Sequence, residues 1–160
     1  MEQRNSTCCF FGHRKVADEE AVKEKLYEIV ENLIVIDKID TFLFGSKSKF
    51  DSLCRDVVAE LKKKYTYIKR IYVRAEFPFI NDDYRAYLLE NVEDTYYPDN
   101  LHNAGRAVYV KRNREMIDKS GICVVYYIHN YEPNKRKSGT EIAFDYANQK
   151  KKEIINIADM

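Results

Sequence analysis

The segment 121–128, with the sequence GICVVYYI, is apolar at nearly every position. A strand with one face in water alternates apolar and polar residues, so this run is typical of a strand covered on both faces. Such strands occur in parallel sheets that have helices packed on both sides. We therefore expect a three-layer α/β domain with a mainly parallel sheet.

The rest of the chain alternates short apolar runs with amphipathic helical stretches, which is the pattern of β-α-β units. Further strands are predicted at residues 7–11, 39–44, 68–74, 95–98 and 153–157. Helices are predicted at residues 18–33, 51–64, 82–92, 112–119 and 139–150. With 160 residues and no linker or repeat, residues 1–160 are expected to form a single domain.

Composition limits the partners to be considered. The net charge is +1, which gives no strong field toward polyanions and argues against nucleic acid and anionic membranes as partners. The apolar runs are too short for a transmembrane helix, and the N-terminus lacks the apolar stretch of a signal peptide. These observations predict a cytoplasmic protein with a small-molecule partner, and they leave a homo-oligomer open.

The four cysteines, Cys8, Cys9, Cys54 and Cys123, form no CxxC pair, and the three histidines are scattered. We therefore expect reduced thiols in or near the core and neither a metal site nor a bound cofactor. Adjacent Cys8 and Cys9 should point to opposite faces of the first strand.

In a parallel sheet with right-handed crossovers, every loop that follows a strand lies at one edge, where ligands bind. Gly12 ends the first strand and would let the backbone approach a ligand closely. His13 and Arg14 follow it. An arginine there can pair with a phosphate or carboxylate, although an arginine after a strand is more often a solvated loop residue.

The second strand leads into the sequence GSKSK at residues 45–49. Gly45, Ser46 and Lys47, together with the first amides of the following helix, could bind an anion. The stretch matches neither a Walker A motif nor GxGxxG, and an ordinary polar turn is the alternative.

Glu76 follows the third strand, and Arg112 and Asn113 open a predicted helix that could reach the same edge. Arg112 would supply positive charge there. The alternative is a basic, solvated helix end.

Ser138, Gly139, Thr140 and Glu141 open the last helix. Ser138 and Glu141 have the spacing of a capping box, which explains both residues structurally. The same backbone could bind a phosphate or ribose, and Glu141 could act as a general base if its carboxylate faced a ligand.

Three stretches together resemble the SLOG superfamily, which includes LOG-type phosphoribohydrolases and DprA-like proteins. They are FFGHR, GSKSKFDSLC with Gly45 and Asp51 in register with the family's Gly-rich segment, and RNREMIDKS followed by SGTEIAFDYANQKKKEIINI. The likeness is greatest to the small stand-alone YpsA-like branch. Ser46 and Lys49 replace glycines of the family pattern, and Glu141 directly follows Thr140.

The resemblance implies a Rossmann-like fold that binds a nucleotide or a nucleotide-derived molecule such as NAD or ADP-ribose. A phosphate would lie over the N-termini of the second and last helices, with Arg14 and Arg112 supplying charge. Asp51 would orient the Gly45 loop or bind a ribose hydroxyl. Backbone and hydroxyl donors would come from Gly45, Ser46, Gly139 and Thr140.

Two other functions remain open. One is an N-glycosidic hydrolase of the LOG type, in which Arg112 and Glu141 are catalytic, with Glu76 as another candidate to position water. The other is a protein-interaction regulator that has lost its ligand, a hypothesis motivated by the glycine replacements.

Overall fold

Six strands form one fully parallel sheet in the computed structural model, which describes residues 5–129 and 137–160. The strand order is β4-β3-β2-β1-β5-β6. The strands are β1 (Thr7–Gly12), β2 (Thr41–Phe44), β3 (Lys69–Val73), β4 (Asp94–Tyr96), β5 (Ile122–Tyr126) and β6 (Glu153–Asn156). The predicted parallel sheet is confirmed.

Five α-helices connect the strands within these described residues. They are α1 (Glu19–Val35), α2 (Lys49–Lys64), α3 (Asp82–Leu88), α4 (Val108–Lys119) and α5 (Gly139–Gln149). No helix in the described part of the chain is long and apolar enough to cross a membrane.

The helices cover both faces of the sheet, as predicted. Cys8 and Phe10 point toward α1 and α2, whose apolar stripes form one core. Their neighbours Cys9 and Phe11 point the other way, toward α4 and α5. Because side chains alternate along a strand, the uninterrupted apolar runs of β1 and β5 supply both cores at once.

Two helix boundaries differ from the sequence prediction by four residues, and the others by two or fewer. Helix α3 ends at Leu88 rather than near residue 92, because the Glu93 amide already donates to the Arg70 carbonyl (2.8 Å) and aligns the chain beside β3. Helix α4 begins at Val108 rather than at Arg112, directly after a 3-10 turn. Arg112 therefore lies one turn inside the helix.

Candidate ligand site at the carboxyl edge of the sheet

The strand order places a switch point between β1 and β5. From β1 the chain moves outward to β4 on one side, and then returns to add β5 and β6 on the other. The loops after β1 and β5 consequently diverge, which is where open α/β sheets form a ligand crevice. The candidate residues that follow β1 and β5 lie on the two sides of this switch point.

His13 directly follows β1 at this switch point. Its amide donates to the Tyr126 carbonyl (3.2 Å), and its Nε2 accepts from the Ile128 amide (3.0 Å). The ring is only 4% exposed and packs against Tyr126 and Tyr127. His13 thus joins β1 to β5, and its buried ring is not presented to a ligand.

Gly12 is required by packing within the protein. A Cβ at this position would lie 2.5 Å from Cδ2 and 2.9 Å from Cβ of Phe50 on α2. Such contacts are far inside the normal separation of carbon atoms. The structure thus explains this glycine by its packing against the first turn of α2, and a close approach to a ligand stays a prediction.

The loop between β2 and α2 is organised by the buried carboxylate of Asp51, which has no exposed surface. Its Oδ2 accepts hydrogen bonds from the hydroxyls of Ser46 and Ser48, the latter at 2.9 Å. The Ser48 hydroxyl in turn caps the helix by accepting from the Asp51 amide (3.1 Å). This geometry agrees with the predicted role of Asp51 in orienting the Gly45 loop.

Burial raises the pKa of Asp51 to about 6, against the opposing effects of the Ser46 and Ser48 hydrogen bonds and of the charges on Arg55 and Arg112. Its Oδ1 has no hydrogen-bond partner among the described residues. Sequence reasoning missed Arg55, which donates to the Ser46 carbonyl (3.0 Å). Its position one helical turn after Asp51 was the available signal.

The N-terminus of α2 has few free donors. The Ser48 amide donates to the Ser46 hydroxyl (3.1 Å) and the Lys49 amide to the Arg14 carbonyl (3.2 Å), while the Asp51 amide is capped by Ser48. A phosphate over this helix would have to displace internal bonds. The side chains of Arg14 and Lys47 remain exposed beside it.

Arg112 is 4% exposed and bridges secondary-structure elements. From α4, its Nη1 donates to the carbonyls of Gly45 (2.6 Å) and Val73 (3.4 Å), at the ends of β2 and β3. Its Nε donates to Oδ1 of Asn113 (3.0 Å). Arg112 thus contacts two other predicted ligand residues, Gly45 and Asn113.

Among the described residues, the N-terminus of α5 has more unbonded amides than the N-terminus of α2. Ser138 caps it by accepting from the Glu141 amide (3.1 Å), as the capping box predicts. Within the described ranges, no acceptor binds the amides of Gly139 and Thr140, and Gly139 has no atom within 4 Å of an added Cβ. Two free amides therefore face outward at the start of an 11-residue helix.

No hydrogen bond or ion pair joins the two candidate catalytic residues in the described structure. Glu141 lies beside Tyr127, beyond β5, and its charge adds to the burial that raises the Tyr127 pKa. Arg112 lies across β2 and β3, and β1 separates the two groups. The third acidic candidate, Glu76, is exposed and accepts from the Tyr109 hydroxyl (2.5 Å).

A shallow cavity of about 220 Å³ lies at the opposite, amino edge of the sheet, between residues such as Asn5, Asp37, Gly121 and Glu153. None of its lining residues belongs to the candidate site. We assign it no ligand.

No family model matches the sequence, and no curated protein matches it. Among solved structures, the chain is similar to DNA processing protein A from Helicobacter pylori, with a TM-score of 0.60 and 14% identity. The superposition covers 94% of this chain and 64% of that protein, so the chain spans less than two thirds of its length. At this identity the likeness concerns the fold.

That protein is described by its single-stranded DNA binding mode. The expectation that nucleic acid should be set aside as a partner is therefore wrong. It relied on a net charge of +1, but net charge averages over the surface and does not report a local cluster of cations. The fold, at the level the comparison supports, is the Rossmann-like α/β fold shared with DNA processing protein A.

Proposed function

We propose that the chain binds the phosphate of a nucleotide or nucleotide-derived molecule at the carboxyl edge of its sheet, over the N-terminus of α5. The observation that carries this proposal is that the amides of Gly139 and Thr140, near the β1–β5 switch point, have no acceptor among residues 5–129 and 137–160. Unpaired amides and the positive end of a helix dipole favour a bound anion.

Two exposed cations support the same ligand. Arg14 follows β1, the strand that adjoins β5, and Lys47 follows β2. The bond from the Lys49 amide to the Arg14 carbonyl holds these two loops together. The resemblance of the sequence to the SLOG superfamily supports a nucleotide as the carrier of the phosphate, and we assign the chain to its YpsA-like branch on the same motifs.

A second candidate ligand is single-stranded nucleic acid. It is favoured by the structural similarity to a protein with a single-stranded DNA binding mode. The same amides and cations would contact backbone phosphates, because such contacts supply most of the affinity for single strands.

Hydrolysis by Arg112 and Glu141 has less support. Both donors named for Arg112 are engaged with protein oxygens, and β1 lies between it and Glu141. A regulator without ligand, and a cytoplasmic location, stay predictions from the sequence.

A matched pair of substitutions tests the phosphate site. Gly139→Pro removes one amide donor at the first helical position, where proline is well tolerated. Gly139→Ala keeps the amide at a position with open space around it. Thermal unfolding is followed with AMP, ADP, NAD and ADP-ribose, and products are separated by chromatography.

We expect one of these ligands at 100 times its dissociation constant to stabilise the wild type by about 2.7 kcal/mol. Gly139→Pro should lose this stabilisation and Gly139→Ala should keep it. Free base among the products would instead identify a hydrolase.

A labelled 20-nucleotide single strand, followed by fluorescence anisotropy, tests the second candidate. Arg14→Ala and Lys47→Ala should weaken binding, whereas Lys63→Ala, at the far end of α2, should not. If neither the nucleotides nor the oligonucleotide bind, the proposed site is wrong.

A further inference from the structure

Helix α3 has no buried residue. Tyr84, Tyr87 and Leu88 nevertheless share one face, since they lie three and four residues apart. Tyr87 is 61% exposed. A surface helix normally packs such a face on the core, but on α3 Leu88 is only half-buried and Tyr84 is still 37% exposed.

Exposed rings from the preceding and following segments extend this face. Phe77 lies 5.9 Å from Tyr84, which lies 6.1 Å from Tyr87, measured between ring centroids. Phe79, at 88% exposure, lies 6.3 Å from His102. We call Phe77, Phe79, Tyr84, Tyr87 and His102 the aromatic surface. Phe77, Tyr84 and Tyr87 form one group and Phe79 and His102 another, and clusters of exposed rings are typical of interaction sites.

A buried arginine holds the aromatic surface in place. Arg74, at the end of β3, is 6% exposed. Its Nη1 donates to the Thr95 hydroxyl (3.1 Å) and its Nε to the Phe77 carbonyl (3.2 Å). Phe77 has a φ of 58°, in the left-handed region that a phenylalanine rarely adopts. The backbone that displays the Phe77 ring is therefore fixed by contacts to β3 and β4.

The charge around these rings is strongly negative. Residues 75–107 contain seven carboxylates and two arginines, although the whole chain has a net charge of +1. Arg85 is paired with Asp94 (3.4 Å). Asp82, Asp83 and Asp99 are exposed and form no ion pair with any residue of the described ranges. The surface is both aromatic and acidic.

We propose that the aromatic surface binds a positively charged, arginine-rich segment of another protein. Guanidinium groups stack on aromatic rings and form charge-assisted hydrogen bonds with carboxylates, so both features of the surface recognise the same side chain. This surface is distinct from the phosphate site, and its function goes beyond nucleotide binding.

Two other occupants fit less well. A nucleic acid could stack its bases on the rings, but its phosphates would be repelled by the unpaired carboxylates. A symmetric dimer would place the same acidic surface against itself, because a two-fold interface pairs identical patches. A separate basic partner avoids both conflicts.

A fluorescein-labelled deca-arginine peptide, titrated with the full chain in 50 mM NaCl and followed by anisotropy, tests the proposal. One double variant, Phe79→Ala with Tyr87→Ala, removes two exposed rings. Another, Asp82→Asn with Asp83→Asn, removes two unpaired charges. The matched controls are Tyr67→Ala, which is also 61% exposed in the wild type but lies before β3, and Glu24→Gln with Glu28→Gln on α1.

We expect saturable binding that each surface double variant weakens at least fivefold, while the controls stay within twofold of the wild type. Equal affinity for all variants, or no binding, would overturn the proposal. Sedimentation velocity of the peptide-free protein adds a second readout. Concentration-dependent dimers that disappear in the Phe79→Ala and Tyr87→Ala variant would make a second copy the occupant and also overturn it. The nucleotide experiments use other residues, so the two proposals can fail separately.

Discussion

Arg112 on α4 donates a hydrogen bond of 2.6 Å to the carbonyl of Gly45, 67 positions earlier in the chain. The same guanidinium nitrogen lies 3.4 Å from the Val73 carbonyl oxygen. One buried side chain thereby ties α4 to the carboxyl ends of two neighbouring strands. Those carbonyls lie beyond the last bonds of the sheet ladder, and a buried acceptor there needs a donor.

Replacing Arg112 by alanine should therefore destabilise the fold. The variant would lose the charge-assisted bond and leave the buried Gly45 carbonyl without a donor. Together these losses should lower the free energy of unfolding by about 2 to 4 kcal/mol. Urea denaturation measures this directly. Arg114→Ala, on an exposed position of the same helix that stacks over Tyr146, should cost about 1 kcal/mol or less. Equal stability of the two variants would contradict the bridging role.

Gly12 and Gly139 should respond oppositely to alanine. At Gly12 the added Cβ would meet the Phe50 ring at 2.5 Å, and overpacking of this kind costs about 1 to 3 kcal/mol. At Gly139, in the first turn of α5, the space is open and alanine should be neutral or stabilising by up to about 1 kcal/mol. Thermal unfolding of both variants at the same pH makes the comparison. A stable Gly12→Ala protein would show that α2 moves freely relative to β1.

Asp51 should make stability depend on pH in an unusual direction. Its pKa is raised from 3.8 to about 6, so the folded protein binds the proton more tightly than the unfolded chain. Its contribution is then fully present below about pH 4 and is lost as the pH rises through 6. The loss amounts to about 3 kcal/mol for this shift.

The measurement is the unfolding free energy of wild type and Asp51→Asn between pH 4 and pH 8. The wild type should lose stability relative to the variant across pH 4 to 7 and then run parallel to it. A difference that grows in favour of the wild type with rising pH would mean that the carboxylate, rather than the neutral acid, is the form stabilised by Ser46 and Ser48.

The four cysteines should be unreactive in the native state. All are buried, and burial raises the pKa of the Cys8 and Cys54 thiols. The hydrogen bond with Cys9, together with burial, raises the pKa of the Cys123 thiol, so none of the three forms the reactive thiolate readily. The Sγ atoms of Cys9 and Cys123 lie 3.6 Å apart without a disulfide. Titration with Ellman's reagent should find no fast-reacting thiol in buffer and four in guanidinium chloride. Rapid labelling of the native protein would require local opening of β1 or β5.

Local sequence patterns predicted most of the secondary structure. The apolar run of β5 indicated a strand with two covered faces, and the Ser138–Glu141 spacing correctly predicted the cap of α5. The alternation of Cys8 and Cys9 between the two cores was also correct. These features depend on neighbours within one or two turns of chain, and a sequence displays such neighbours directly.

The candidate site was less accessible to this reasoning. The sequence placed His13, Arg112 and the amides of α2 at the carboxyl edge of the sheet, but these groups bond within the protein. His13 accepts from the Ile128 amide, and Arg112 donates to the Gly45 carbonyl. The Lys49 and Asp51 amides of α2 donate to Arg14 and Ser48. A polar residue that follows a strand looks the same in a sequence whether it contacts a ligand or another loop. The net charge of the whole chain was also a poor guide to its surface, because a value of +1 does not show that residues 75–107 are strongly acidic.

The sequence by itself determined the order and type of the elements, because hydrophobic periodicity and capping are local properties of the chain. Only the tertiary structure decided that β5 pairs with β1, that the Lys49 amide of α2 bonds to the Arg14 carbonyl, and that α3 buries none of its residues. Those outcomes depend on which distant groups meet and satisfy one another's hydrogen bonds, and a pattern along one chain does not contain that information.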